Sequence, residues 1–64
     1  ILNINTDILY SNIEIINTLG QVVFESGEIN EINLSNFRAG IYFIYLKNKK
    51  GNILKVNKFI KKTK

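Results

Sequence analysis

The chain contains no cysteine, no histidine, no proline, no tryptophan and no methionine in its 64 residues. Without thiols there is no disulfide framework and no thiolate metal site. Without imidazole, the side chain most used as metal ligand and general base is missing. Ser11, Ser26 and Ser35 therefore have no histidine to activate them as nucleophiles. Gly20, Gly27, Gly40 and Gly51 stand isolated, so no glycine-rich loop cradles a phosphate. The acids Asp7, Glu14, Glu25, Glu28 and Glu31 do not form a D-x-D-x-D-G calcium loop and read as solvated strand-face residues. We expect no enzyme here, no catalytic residue, no metal and no cofactor. The longest apolar run, Ile41 to Leu46, falls far short of the ~20 residues of a membrane-spanning helix, so no membrane insertion is expected. The absence of proline leaves turn geometry to Gly, Asn and Ser.

Charge is also missing by region. All five acids precede position 32, and all nine bases, Arg38 to Lys64, follow it. Such asymmetry can mark a nucleic-acid arm. Here the lysines alternate with apolar residues, which favours neighbouring strands pairing opposite charges, with a basic recognition surface at the C-terminus as the alternative. The aromatic residues near those lysines show no RNP-like or OB-type pattern, so no nucleic-acid partner is expected.

What the chain has in quantity is Ile, Val, Phe and Tyr, the residues of a pleated, half-buried surface. Hydrophobic residues make up 45% of it, enough for one small core. A domain this short buries only about 60% of its unfolded surface. Short strands are expected over Ile1–Asn5, Asn12–Asn17, Gln21–Glu25, Glu28–Leu34, Gly40–Asn48 and Gly51–Lys61. No window carries the i, i+3, i+4, i+7 pattern of a long helix. Several short strands with turn signals every 8–12 residues predict an all-β fold, a small antiparallel β-sandwich of six to seven strands.

The turn signals refine this. Gly20 after Asn17-Thr18-Leu19 suits a hairpin that needs a positive φ. Ser26-Gly27 is expected to turn next, and Asn48-Lys49-Lys50-Gly51-Asn52 to join the last two strands. In Leu34-Ser35-Asn36-Phe37 the Ser35 side chain is expected to bond nearby backbone N–H groups, forming a helix-like turn with Phe37 plugging the core. The strand after Gly40 should be central, since Tyr42, Ile44 and Leu46 share one face while Ile41, Phe43 and Tyr45 share the other. One of those faces then needs cover from a neighbour. In the last strand Lys58 interrupts the alternation of Leu54 and Val56, which predicts a β-bulge near Asn57-Lys58. Asn33-Leu34-Ser35 matches the N-glycosylation acceptor pattern, of consequence only in a secreted eukaryotic protein.

Three blocks, in order, carry a resemblance: Ile13-Glu14-Ile15-Ile16-Asn17-Thr18-Leu19-Gly20-Gln21-Val22-Val23; Ile32-Asn33-Leu34-Ser35-Asn36-Phe37-Arg38-Ala39-Gly40-Ile41-Tyr42-Phe43-Ile44; and Lys55-Val56-Asn57-Lys58-Phe59-Ile60-Lys61. They resemble, from Leu2 to Lys62, the C-terminal sorting domain of the type IX secretion system of certain Gram-negative bacteria. Phe37 stands where that family usually has Leu. The family's usual opening Pro-Asn-Pro has no counterpart, and the chain starts at Ile1 without Met. We therefore expect residues 1–64 to be a single sorting domain cut from a longer polypeptide and lacking that first segment.

The resemblance implies an Ig-like β-sandwich that crosses the inner membrane with an N-terminal cargo domain and folds in the periplasm. It implies recognition by the outer-membrane translocon and, commonly, removal by a sortase-like surface protease, with the cargo secreted or kept at the cell surface. By family position Lys55, Lys58, Phe59, Ile60, Lys61 and Lys62 would form the translocon-read end, whereas Gly20, Leu34, Ser35, Gly40 and Tyr42 would preserve the fold. The alternative from the residues is an Ig-like adhesive or carbohydrate-contacting module with Tyr42 and Tyr45 on its contact face.

Overall fold

In a computed structural model of the chain, residues 2–4 and 6–62 are described. They form six strands and no helix: β1 (Leu2–Asn3), β2 (Asn12–Asn17), β3 (Val22–Gly27), β4 (Glu31–Ile32), β5 (Gly40–Lys47) and β6 (Ile53–Lys61). Two antiparallel sheets result, one of order β3-β2-β5-β6 and a smaller one pairing β1 with β4. This is the small antiparallel β-sandwich predicted from the alternation. Ile1 and Asn5, placed in the first strand from the sequence, lie outside the described residues.

Alternation decides which side of each strand is inside. Ile13 and Ile15 of β2 are fully buried, and Tyr42, Ile44 and Leu46 of β5 are buried beside them. Ile32 of β4 meets them from the opposite sheet, with Leu2, Ile4, Tyr10, Ile29 and Leu34 packed around. Each such side chain contributes about 1.5–3 kcal/mol of apolar burial. β5 lies between β2 and β6, central as expected.

Both hairpins turn by the same device. In Asn17–Gln21 the Oδ1 of Asn17 accepts from the N–H groups of Leu19 and Gln21, both at 3.0 Å. In Asn48–Asn52 the Oδ1 of Asn48 accepts from Lys50 at 2.9 Å and Asn52 at 3.0 Å. The fourth residue is Gly20 at φ +84° in one and Gly51 at φ +86° in the other, a left-handed conformation that costs other residues roughly 1–2 kcal/mol. The Asn satisfies the turn's donors and the Gly supplies the handedness, so the N-x-x-G spacing alone encodes the hairpin.

Four local expectations are corrected. Ser26 and Gly27 do not turn; they pair with Ile13 and Asn12 as the end of β3. The chain then crosses to the other sheet instead of folding back, so no hairpin is needed there. Among the described residues, the strands expected over Ile1–Asn5 and Glu28–Leu34 are shortened to Leu2–Asn3 and Glu31–Ile32, with one further bond from Ile4 N–H to the Asn30 carbonyl at 2.7 Å. In the Leu34–Phe37 turn, Asn33 Oδ1 accepts from Ser35 N–H at 2.9 Å, and Phe37 N–H donates to the Leu34 carbonyl at 2.9 Å. The capping side chain is thus Asn33, and the segment is a single turn.

The fourth correction concerns the bulge in β6, which is not at Asn57-Lys58. Pairing with β5 runs unbroken from Lys61 to Lys55, and the shift falls where Leu46 faces Lys55 but Lys47 faces Ile53, leaving Leu54 as the extra residue. No bulge is needed near Lys58 because Lys58 shares the outward face with Val56 and Ile60. The inward set of β6 is Lys55, Asn57 and Phe59, opposite Leu46, Ile44 and Tyr42.

Candidate functional site

The candidate site is β6, and the fold places it at an edge of the larger sheet, paired on one side only. An edge strand presents unpaired backbone N–H and C=O groups, a template for another strand. Its side chains split by face. Lys58 and Ile60 point outward with Val56, while Phe59 points inward and is half-buried. Lys55 and Lys61 also lie on the inward side, at the sandwich margin, and Lys62 is exposed just past the strand. The six residues expected to act together are therefore close in sequence but distributed over both faces of one edge.

Phe59 belongs to the core by its contacts. Its ring stacks on Tyr42 at 5.3 Å between centroids, Tyr42 meets Phe37 edge-on at 5.3 Å, and Phe37 lies 6.3 Å from Phe24. This row of rings ties β6, β5, the Leu34–Phe37 turn and β3 together. Offset and edge-to-face pairs at such distances add about 0.5–1.5 kcal/mol each. Tyr42 also donates from its hydroxyl to the Arg38 carbonyl at 2.6 Å, which fastens the entry into β5.

The other residues assigned to the fold are placed as follows. Gly20 sits in the first hairpin, Leu34 packs half-buried against the core, and Ser35 is an exposed turn residue. Gly40 opens β5 opposite Lys61. Tyr42 and Tyr45, the pair expected on one contact face of an adhesive module, lie on opposite faces of β5. Tyr42 is buried and only Tyr45 faces outward.

The expected pairing of opposite charges occurs once among the described residues. Lys47 Nζ on β5 lies 2.9 Å from Glu14 Oε1 on the neighbouring β2. The lysines of β6 find no acid this way, because their only neighbour in the sheet is β5. Among the described residues the β6 lysines are therefore without an ion-pair partner.

Sequence reasoning passed over two features. Tyr10 donates from its hydroxyl to the Ile29 carbonyl at 2.6 Å, tying the β1–β2 connection to the segment before β4. The short apolar run Ile8-Leu9-Tyr10 carries no alternation that would single out the tyrosine. A groove of about 280 Å³ also runs between β1 and the inward face of β6, lined by Leu2, Ile4, Ile44, Asn57 and Phe59. It exists because two strands cannot cover four.

No group of three or more Asp or Glu side chains could hold a metal ion among the described residues. Among the described residues no helix is long and apolar enough to cross a membrane. Comparison with curated proteins and with solved structures gave no match. The family model described as "Secretion system C-terminal sorting domain" does match, over residues 1–62. With that match over nearly the whole chain, this all-β sandwich with a basic edge strand belongs to the family of type IX secretion C-terminal sorting domains.

Proposed function

We propose that the type IX machinery reads this domain at β6, and that the translocon engages the strand's free edge and its lysines. As a sorting signal of this family, the domain directs cargo to secretion or the cell surface. The observation that carries the finer reading is that β6 is both the unpaired edge of the main sheet and the strand whose cations lack acidic neighbours. Strand addition provides affinity through the backbone, and charge provides selectivity and a faster encounter. In this reading the domain follows its N-terminal cargo domain into the periplasm, docks after folding, and is then removed by a sortase-like protease. It contacts neither nucleic acid nor the membrane interior. Its own role is recognition, with no reaction performed.

The test fuses residues 1–64 to a periplasmic reporter in a strain with a working type IX system. The intact fusion is expected in the medium or on the surface, and a fusion lacking residues 58–64 in the periplasm. Because that truncation also removes Phe59 from the core, a second variant reverses charge at Lys58, Lys61 and Lys62 while keeping Phe59. Export of the charge-reversed fusion at the intact level would rule out β6 as a charge-read element. Retention of the intact fusion would overturn the sorting assignment for this segment.

A further inference from the structure

Among the described residues, no layer covers the outer face of the four-stranded sheet. Across β5 and β6 it presents the pairs Ile41–Ile60, Phe43–Lys58 and Tyr45–Val56, and across β2 and β3 the pair Ile16–Val22. Ile60 is 58% exposed and Val22 52%, at opposite edges of the face. Contiguous apolar surface of this kind marks an interaction site.

The charges on this face are polarised. Glu25 of β3 lies directly opposite Glu14 of β2, an unfavourable like-charge pairing, and Glu14 is already engaged by Lys47. Among the described residues Glu25 has no ion-pair partner. Lys58 of β6 has none either, and it sits between outward-facing Val56 and Ile60. Three strand spacings, about 14 Å, separate the negative edge from the positive one.

We propose that this face is the contact surface of a homodimer in which two copies stack sheet on sheet about a two-fold axis parallel to the strands. That axis sets β6 of each copy over β3 of the other, so each Lys58 approaches the partner copy's Glu25, twice by symmetry. An in-plane axis perpendicular to the strands would instead lay β6 on β6 and bring like charges together. Along the ladder Lys58 is level with Phe43, Ile16 and Val22, and Glu25 is level with Glu14 and Tyr45. The offset is two residues, about 7 Å, which lysine and glutamate side chains span across sheets stacked about 10 Å apart. Three strand spacings by the eight residues of β5 give a face of roughly 14 × 26 Å between strand axes, below one side of a standard interface, so the dimer is expected to be weak. The β6 edge stays open in this arrangement, but Lys58 is shared with the proposed translocon contact, so dimerisation is read in solution, apart from export.

The test is sedimentation velocity on the 64-residue chain between about 10 µM and about 1 mM, a range that brackets a weak dimer. A concentration-dependent dimer is expected, which Ile60→Lys abolishes and Lys58→Glu weakens at least about tenfold, equivalent to roughly 1.4 kcal/mol. The double variant Lys58→Glu with Glu25→Lys should recover the original association, and circular dichroism confirms that each variant is folded. If Ile60→Lys does not fold, the charge exchange alone decides. A monomer throughout the range overturns the proposal. So does a dimer indifferent to Ile60→Lys, or one that the charge exchange fails to restore.

Discussion

Tyr42 joins the two halves of the core, and its two contributions separate cleanly. Tyr42→Phe removes only the hydroxyl and its 2.6 Å bond to the Arg38 carbonyl. The loss should be about 1 kcal/mol, which lowers the melting temperature of a domain this size by about 4–8 °C. Tyr42→Ala also removes the ring that stacks on Phe59 and meets Phe37 edge-on, opening a cavity beside Ile44 and Leu46. Truncating a buried aromatic costs about 3–5 kcal/mol. At roughly 0.05–0.15 kcal/mol per residue, the whole domain is stabilised by only about 3–10 kcal/mol.

The alanine variant is therefore expected to be largely unfolded at 37 °C, and the phenylalanine variant folded. Urea titration followed by far-ultraviolet circular dichroism gives both values. If Tyr42→Phe loses as much as Tyr42→Ala, the hydroxyl and not the ring row holds the core. If Tyr42→Ala loses less than about 1.5 kcal/mol, the aromatic row is not a structural tie at all.

Two further outcomes follow from the same geometry. Asn17→Ala and Asn48→Ala should each cost about 1 kcal/mol by thermal melting, and the double variant should show their sum, since the equivalent turns sit at opposite ends of the sheet; a strong non-additivity would mean the turns communicate. Glu14→Gln should cost at most about 0.5 kcal/mol at low salt, because loss of the Lys47 pair is partly offset by relief of the like-charge facing with Glu25, and the loss should shrink as salt is added; a salt-independent loss would assign the effect to packing instead.

Strand positions were legible because alternation is a direct consequence of the pleat: Ile13/Ile15 and Tyr42/Ile44/Leu46 had to share faces wherever the strands lay. The N-x-x-G turns were legible because their chemistry is local. The misplaced bulge had a different origin. Lys58 was judged against the assumption that β6's apolar residues point inward, whereas Val56 and Ile60 point out, and no single strand reveals which of its faces is covered. Ser26-Gly27 misled for a related reason, since whether a glycine ends a strand or continues it depends on where the next strand goes. The Asn33 cap was hard to read because Asn33 and Ser35 are both capping types, and the turn is capped one step earlier than Ser35 would cap it, at the Ser35 N–H itself. At the candidate site the basic end was visible in the sequence, but its position at a sheet edge depends on strand order.

The seam between β2 and β5 has a kinetic meaning. Asn12 meets Lys47 and Asn17 meets Tyr42, so the middle of the main sheet joins segments about 30 residues apart, while both hairpins close locally within about 1–10 µs. The hairpins can form on their own, yet neither has a core until the other arrives. A chain emerging from any narrow conduit thus stays unfolded across this domain until nearly its full length is clear. Only then does β6 acquire a sheet to be the edge of.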